Sequence, residues 1–301
     1  MVDTPALTAR NEDSLSGFLF ALTAYLLWGF LPLYMKALAH VPPVEVIAHR
    51  VIWSVPVAMA VLLWLRRTAD LTAALRSPRM LGMGAMTAAL ISVNWGIYVW
   101  AIGSGHALDA ALGYYINPLF SIFLGAALLR ERIGRMQGVA IGLAAVAVAI
   151  LTWDAGRLPL VALGLTVTWG FYAFLKKWLP IGPNQGFALE VLILLPVALG
   201  YMIWLSATGG GHFLQGVAWD DALLLGCGIV TAGPLMIYAN GAKRLRLSTI
   251  AVMQYIAPTL IFLTAVFIFD EPFSGMKLLA FGMIWSALAL YSLPVLRARL
   301  R

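Results

Sequence analysis

A chain of 301 residues that is 62% hydrophobic and only 11% charged is not an ordinary soluble globule, which carries about 25% charged residues. Its net charge of +7 comes from short segments between apolar runs, not from a basic stripe interleaved with aromatics, so nucleic acid is excluded as a partner. The lone cysteine, Cys227, sits inside an apolar run and leaves no intramolecular disulfide and no multi-cysteine metal site.

Runs of about 20 apolar residues, enough to cross a bilayer, follow one another almost without pause. They do not alternate as the strands of a membrane barrel would. The expected fold is all-α and polytopic, with ten transmembrane helices over 17–38, 45–65, 81–103, 107–129, 134–152, 160–179, 187–205, 221–242, 248–269 and 274–296. The Ala-Leu-Ala at 37–39 looks like a signal-peptidase site. However, the apolar stretch from Gly17 to Tyr34 exceeds a signal core of about 7–15 residues, and Asp3, Glu12 and Asp13 precede it against one Arg10. It reads as a retained first helix. The longest connections, 66–80 and 206–220, read as loops.

Lysine and arginine collect in cytoplasmic loops because short positive loops resist translocation. With the N-terminus inside, the inner segments hold Arg10, Arg66, Arg67, Arg76, Arg79, Arg130, Arg132, Arg135, Lys176, Lys177, Lys243, Arg244, Arg246, Arg297, Arg299 and Arg301. Only Lys36, Arg50, Arg157 and Lys277 fall outside. Both termini are therefore expected in the cytoplasm.

The chain also repeats itself. At an offset of 140 residues, Tyr115, Ile116 and Pro118 fall on Tyr255, Ile256 and Pro258, Glu131 on Glu271, Gly142 on Gly282 and Tyr98 on Tyr238. Pro56, Val57 and Ala58 meet Pro196, Val197 and Ala198, and Trp64 meets Trp204. One residue more lays Trp28-Gly29-Phe30 on Trp169-Gly170-Phe171 and Lys36 on Lys177. The matches are collinear across five helix pairs. Five is odd, so the second half must enter the membrane upside down; inverted repeats of this kind place a site at the midplane and permit two opposed openings.

Those residues carry a resemblance. The ten-helix 5+5 plan, with AHR at 48–50, NWGIYVWAI at 94–102, LGYYINPLFSIFLG at 112–125 followed by RER, and GAKRLRLSTIAVMQYIAPTLIFL at 241–263 followed by EP, is similar to the EamA-domain drug/metabolite transporters, within them to the RarD branch. The resemblance implies a first EamA-like repeat over 16–152 and a second over 153–296. Around them lie a cytoplasmic tail at 1–15 and a basic C-terminus at 297–301. It also implies a multi-pass carrier or exporter of small metabolites in the inner (plasma) membrane.

Ionisable groups inside a membrane are costly and default to function. His49, Arg50 and Glu190 qualify, and the 140-residue offset sets Arg50 on Glu190. A zwitterion could bridge the two, its carboxylate on Arg50; a structural salt bridge, Glu45 with Arg50 or His49, or Arg50 with Glu190, fits equally. His49 suits a proton relay or a neutral histidine bonded to a carbonyl. No histidine pair has metal-ligand spacing, so no metal site is expected.

A polar and aromatic stripe suits a cavity wall. Tyr25, Trp28 and Pro32 share a face of the first helix, Thr87, Asn94 and Tyr98 of the third, and Tyr114, Asn117 and Ser121 of the fourth. The second half supplies Trp169, Tyr238, Gln254 and Tyr255. Helix packing and an interfacial belt are the other readings of these residues. Pro32, Pro56, Pro118, Pro196, Pro234 and Pro258 lie within spans as hinges or fixed kinks. Glu131 and Glu271 precede the fifth and tenth helices, where an acid favours the dipole. Gly138 and Gly142 are expected to let the fifth helix pack closely.

The expected function is secondary transport of small organic molecules, such as amino acids or drug-like compounds, by alternating access around a midplane cavity. No Walker motif or cofactor signature is present, which leaves a proton gradient or the substrate's own gradient as the drive. A flippase for lipids or lipid-linked precursors is the alternative. An intramembrane enzyme is disfavoured, because no nucleophile stands beside His49 or Glu190.

Overall fold

The computed structural model describes residues 14–129, 134–242, 244–245, 249–250 and 253–297. Their regular structure is entirely helical: α1 Leu15–Ala37, α2 Pro43–Trp64, α3 Ala69–Leu75, α4 Pro78–Gly103, α5 Ala107–Leu129, α6 Arg135–Ala155, α7 Leu160–Trp178, α8 Pro183–Ala207, α9 Ala218–Ala242, α10 Ile256–Phe267 and α11 Gly275–Arg297. Helix starts follow local chemistry. Ser14 and Ser77 accept the Gly17 and Met80 amides as N-caps, and Pro43, Pro78 and Pro183 sit where a missing N–H costs nothing. Seven of these helices are long and apolar enough to cross a membrane: α1, α2, α4, α5, α6, α8 and α9. Counted over the described residues, the apolar parts of α7, α10 and α11 are shorter. The protein is thus an all-helical, polytopic membrane protein.

The helices pair in a definite order. α1 lies on α9 and α10, α7 on α4 and α5, α2 on α8 and α9, α4 on α8, α5 on α10, and α6 on α11. Close crossings depend on glycine. A Cβ at Gly29 would overlap Leu260 of α10, one at Gly170 would overlap Phe120 of α5, and one at Gly228 would strike the Trp53 backbone of α2.

Five expectations change in the structure. The 66–80 connection contains a short helix, α3. The helix expected over 248–269 is interrupted, since Gln254 and Tyr255 form a turn and α10 starts at Ile256. Pro258 then lies in the first turn of α10, not within a kinked span; its ring would crowd the Gln254 carbonyl four residues back if the helix ran through. Pro32, Pro56, Pro118, Pro196 and Pro234 remain inside continuous helices.

The packing face of α6 is Ala140, Ala144, Ala147 and Leu151, buried together with Phe281 and Ile284 of α11. Gly138 and Gly142 face open space. They sit two residues off that alanine row, about 200° round the helix. Glu271 does cap a helix, but not the one that follows it: its carboxylate accepts the Ala107 and Leu108 amides of α5 at 2.6 and 2.9 Å. Glu131 lies outside the described residues.

Candidate functional site

Arg50 stands two turns into α2 and is only 3% exposed. Its Nε donates to Thr231 Oγ1 of α9 at 3.0 Å, and its guanidinium lies over the Trp95 ring of α4, 4.6 Å from the centroid. Tyr98 stands one helical turn beyond Trp95 on α4. None of the three ion pairs among the described residues includes Arg50, and its buried Nη1 has no partner there.

Beside it stands an aromatic group from α4, α5 and α7. Tyr98 and Tyr114 lie 5.9 Å apart by centroid, and Trp169 meets Tyr114 edge-on at 6.4 Å. Asn94 anchors the group: it accepts the Tyr114 hydroxyl at 3.4 Å and donates to Thr168 Oγ1 and the Leu165 carbonyl. The Tyr98 hydroxyl and Asn117 Oδ1 are buried without partners among the described residues.

A second aromatic group forms where α1 meets α9. Tyr25, Trp28 and Tyr238 make a triangle with centroids 5.6–5.7 Å apart, in a separate buried cluster with Ala21 and Met253. The residues grouped by sequence as one cavity wall are therefore divided between two places. Gln254 and Tyr255 occupy the turn before α10, both half-buried, with Tyr255 against the main core.

Glu190, 1% exposed, does not meet Arg50. Its carboxylate accepts from Lys176 Nζ at 2.6 Å and from the Tyr172 hydroxyl at 3.2 Å. Tyr172 in turn touches Trp169, which ties the pair to the first aromatic group.

His49 accepts the Trp53 indole N–H on Nδ1 at 2.9 Å. Indole can only donate, so the imidazole proton is on Nε2, which is buried and unpartnered among the described residues. Phe213 covers the ring at 4.8 Å. Phe213 belongs to the loop before α9, and Glu45 pins that loop by accepting both the amide and the Nδ1–H of His212, at 2.7 and 2.8 Å. The partner expected for Glu45, Arg50 or His49, is thus replaced by His212. A second pair, His40 with Asp220 at 2.9 Å, fastens the same end.

Lys176, Thr231, Trp95, Tyr172 and His212 escaped the sequence reading. Lys176 had a signal: a membrane-buried glutamate requires a cation, and the lysine precedes it across one short turn. Thr231, a single hydroxyl in the apolar run of α9, had almost none.

The profile of the EamA-like transporter family matches residues 15–153. An uncharacterized transporter of Vibrio cholerae is 41% identical over 294 residues, 97% of each chain. The chain belongs to the EamA-like transporter family, in its RarD branch. The protein RarD of Streptomyces exfoliatus is 39% identical over 98% of this chain and 93% of its own. A protein of known crystal structure shares the fold at a TM-score of 0.61 and 21% identity, covering 92% of this chain and 98% of its own. Family membership, with the apolar helices, makes this a multi-pass inner-membrane protein of the drug/metabolite transporter type, with a small molecule as its substrate.

Proposed function

We propose that the protein is a secondary carrier whose two inverted five-helix repeats, 16–152 and 153–296, open alternately to the two sides of the membrane. The ten spans would be α1, α2, α4, α5 and α6 in the first half and α7 to α11 in the second, with both termini in the cytoplasm. Substrate contact is assigned to the Arg50, Asn94, Tyr98, Tyr114, Asn117 and Trp169 group and to the Tyr25, Trp28, Tyr238 and Gln254 group.

One pair of contacts carries this reading. Gly29 of α1 packs on Leu260 of α10, and Gly170 of α7 packs on Phe120 of α5. Gly29 and Gly170 are counterparts in the sequence repeat, and so are Phe120 and Leu260. The same contact is therefore made twice with the halves exchanged. The helix pairing agrees: replacing each helix by its counterpart turns α1–α9 into α7–α4, α1–α10 into α7–α5 and α2–α9 into α8–α4, while α2–α8 and α6–α11 map on themselves. Near-equivalent halves give two conformations of similar energy, which a reversible carrier needs. The aromatic groups are likewise counterparts, Tyr98 with Tyr238 and Trp169 with Trp28, so each would close one side.

Single cysteines at the two ends test this. In a Cys227→Ala background, Tyr98→Cys should react with an impermeant maleimide from the outer face and Tyr238→Cys from the inner face. Modifying one should protect the other. Reaction of both from one side, of neither, or of each regardless of the other would end the alternating-access reading.

A further inference from the structure

Every buried carboxylate among the described residues is already matched. Glu45 holds His212, Glu190 holds Lys176 and Tyr172, Asp220 holds His40, and Glu271 holds two backbone amides. The buried guanidinium of Arg50 meets no carboxylate among the described residues. Its one side-chain hydrogen bond goes to a neutral hydroxyl, and Trp95 covers one face. Thr231 positions the charge without compensating it. An uncompensated ion in a low-dielectric interior is strongly disfavoured, so the transport cycle must bring a negative charge to it.

We propose that the substrate is an organic anion whose carboxylate is received by Arg50 Nη1 and the Tyr98 hydroxyl, and which carries no ammonium group. This rests on the carrier reading above. Both named donors are buried and unpartnered among the described residues, and Tyr98 stands one helical turn beyond Trp95, the ring that the guanidinium covers. An arginine edge and a phenol together suit the two oxygens of one carboxylate. With Thr231 on Nε and Trp95 on its face, the guanidinium is held with the Nη1 edge available. Trp95, Tyr114 and Trp169 offer flat apolar surfaces to the rest of the molecule. The ammonium of a zwitterion would need an acid, and Glu190, the acid that the sequence repeat sets opposite Arg50, is occupied by Lys176.

Four ligands of one shape and different charge decide the matter: 3-phenyllactate (anion), phenylalanine (zwitterion), phenethylamine (cation) and 3-phenylpropanol (neutral). Calorimetric titration of the purified full-length protein in detergent should find 3-phenyllactate bound about tenfold or more tightly than the others. Arg50→Met should remove that preference. Thr231→Val keeps the charge but releases its orientation, and should weaken 3-phenyllactate more than 3-phenylpropanol. Equal or tighter binding of phenylalanine or 3-phenylpropanol overturns the inference, as does absence of 3-phenyllactate binding. Counterflow in liposomes with the same set separates the two readings. Uptake of phenylalanine or 3-phenylpropanol without charge preference keeps the carrier and ends the anion assignment. Tight 3-phenyllactate binding with no counterflow of any ligand keeps the anion site and ends the carrier.

Discussion

Arg50 and Glu190 occupy counterpart positions in the two halves, yet their surroundings have opposite characters. Glu190 is saturated: a lysine and a tyrosine from the preceding helix approach its two oxygens. Arg50 has one hydroxyl, one ring face and a nitrogen without a partner among the described residues. The sequence repeat sets the two residues on each other without carrying over their partners. The two prolines diverge in the same way: α5 continues through Pro118, whereas the chain breaks before Pro258.

Removing the partner of each charge should break this contrast most sharply. Lys176→Met leaves the buried Glu190 without its cation, with only the Tyr172 hydroxyl on it, and should cost about 3–5 kcal/mol, read as a lowered unfolding midpoint in detergent micelles. Lys176→Met combined with Glu190→Gln should recover most of it. Arg50→Met removes an uncompensated cation and should leave stability unchanged or higher. A loss as large as that of Lys176→Met would reveal a partner for Arg50.

The two tyrosines sharpen the same comparison at smaller scale. Tyr172→Phe removes a donor to a buried carboxylate and should cost about 1–2 kcal/mol. Tyr98→Phe removes a hydroxyl that bonds nothing among the described residues, and the same unfolding measurement should find no loss. The smallest measurable loss is expected at Thr231→Val, about 0.6 kcal/mol, typical of a single side-chain hydrogen bond between membrane helices. A larger fall would mean that Thr231 is the main support of the Arg50 side chain.

The helices were largely legible because hydrocarbon thickness sets their length and apolar runs announce it. What sequence could not place was any contact between distant segments. Helical spacing puts Asn94 and Tyr98 on one face of α4 and Tyr114 and Asn117 on one face of α5, but does not bring the two faces together. The assembly of Tyr25, Trp28 and Tyr238 into a separate triangle depends on how α1 meets α9, which periodicity does not encode. Gly138 and Gly142 misled for a related reason. A small-residue pair states that close packing is allowed on a face, and the alanine row on the opposite side of α6 took the contact instead.

The carboxylate of Glu271 also bears on the order in which the chain can be completed. The first turn of α5 needs two acceptors for its amides, and both belong to a residue 163 to 164 positions further on. During synthesis α5 enters the membrane with that end unsealed, and the seal arrives only when the connection between α10 and α11 has emerged. Two hydrogen bonds at the start of α5 therefore wait for a segment made after α10.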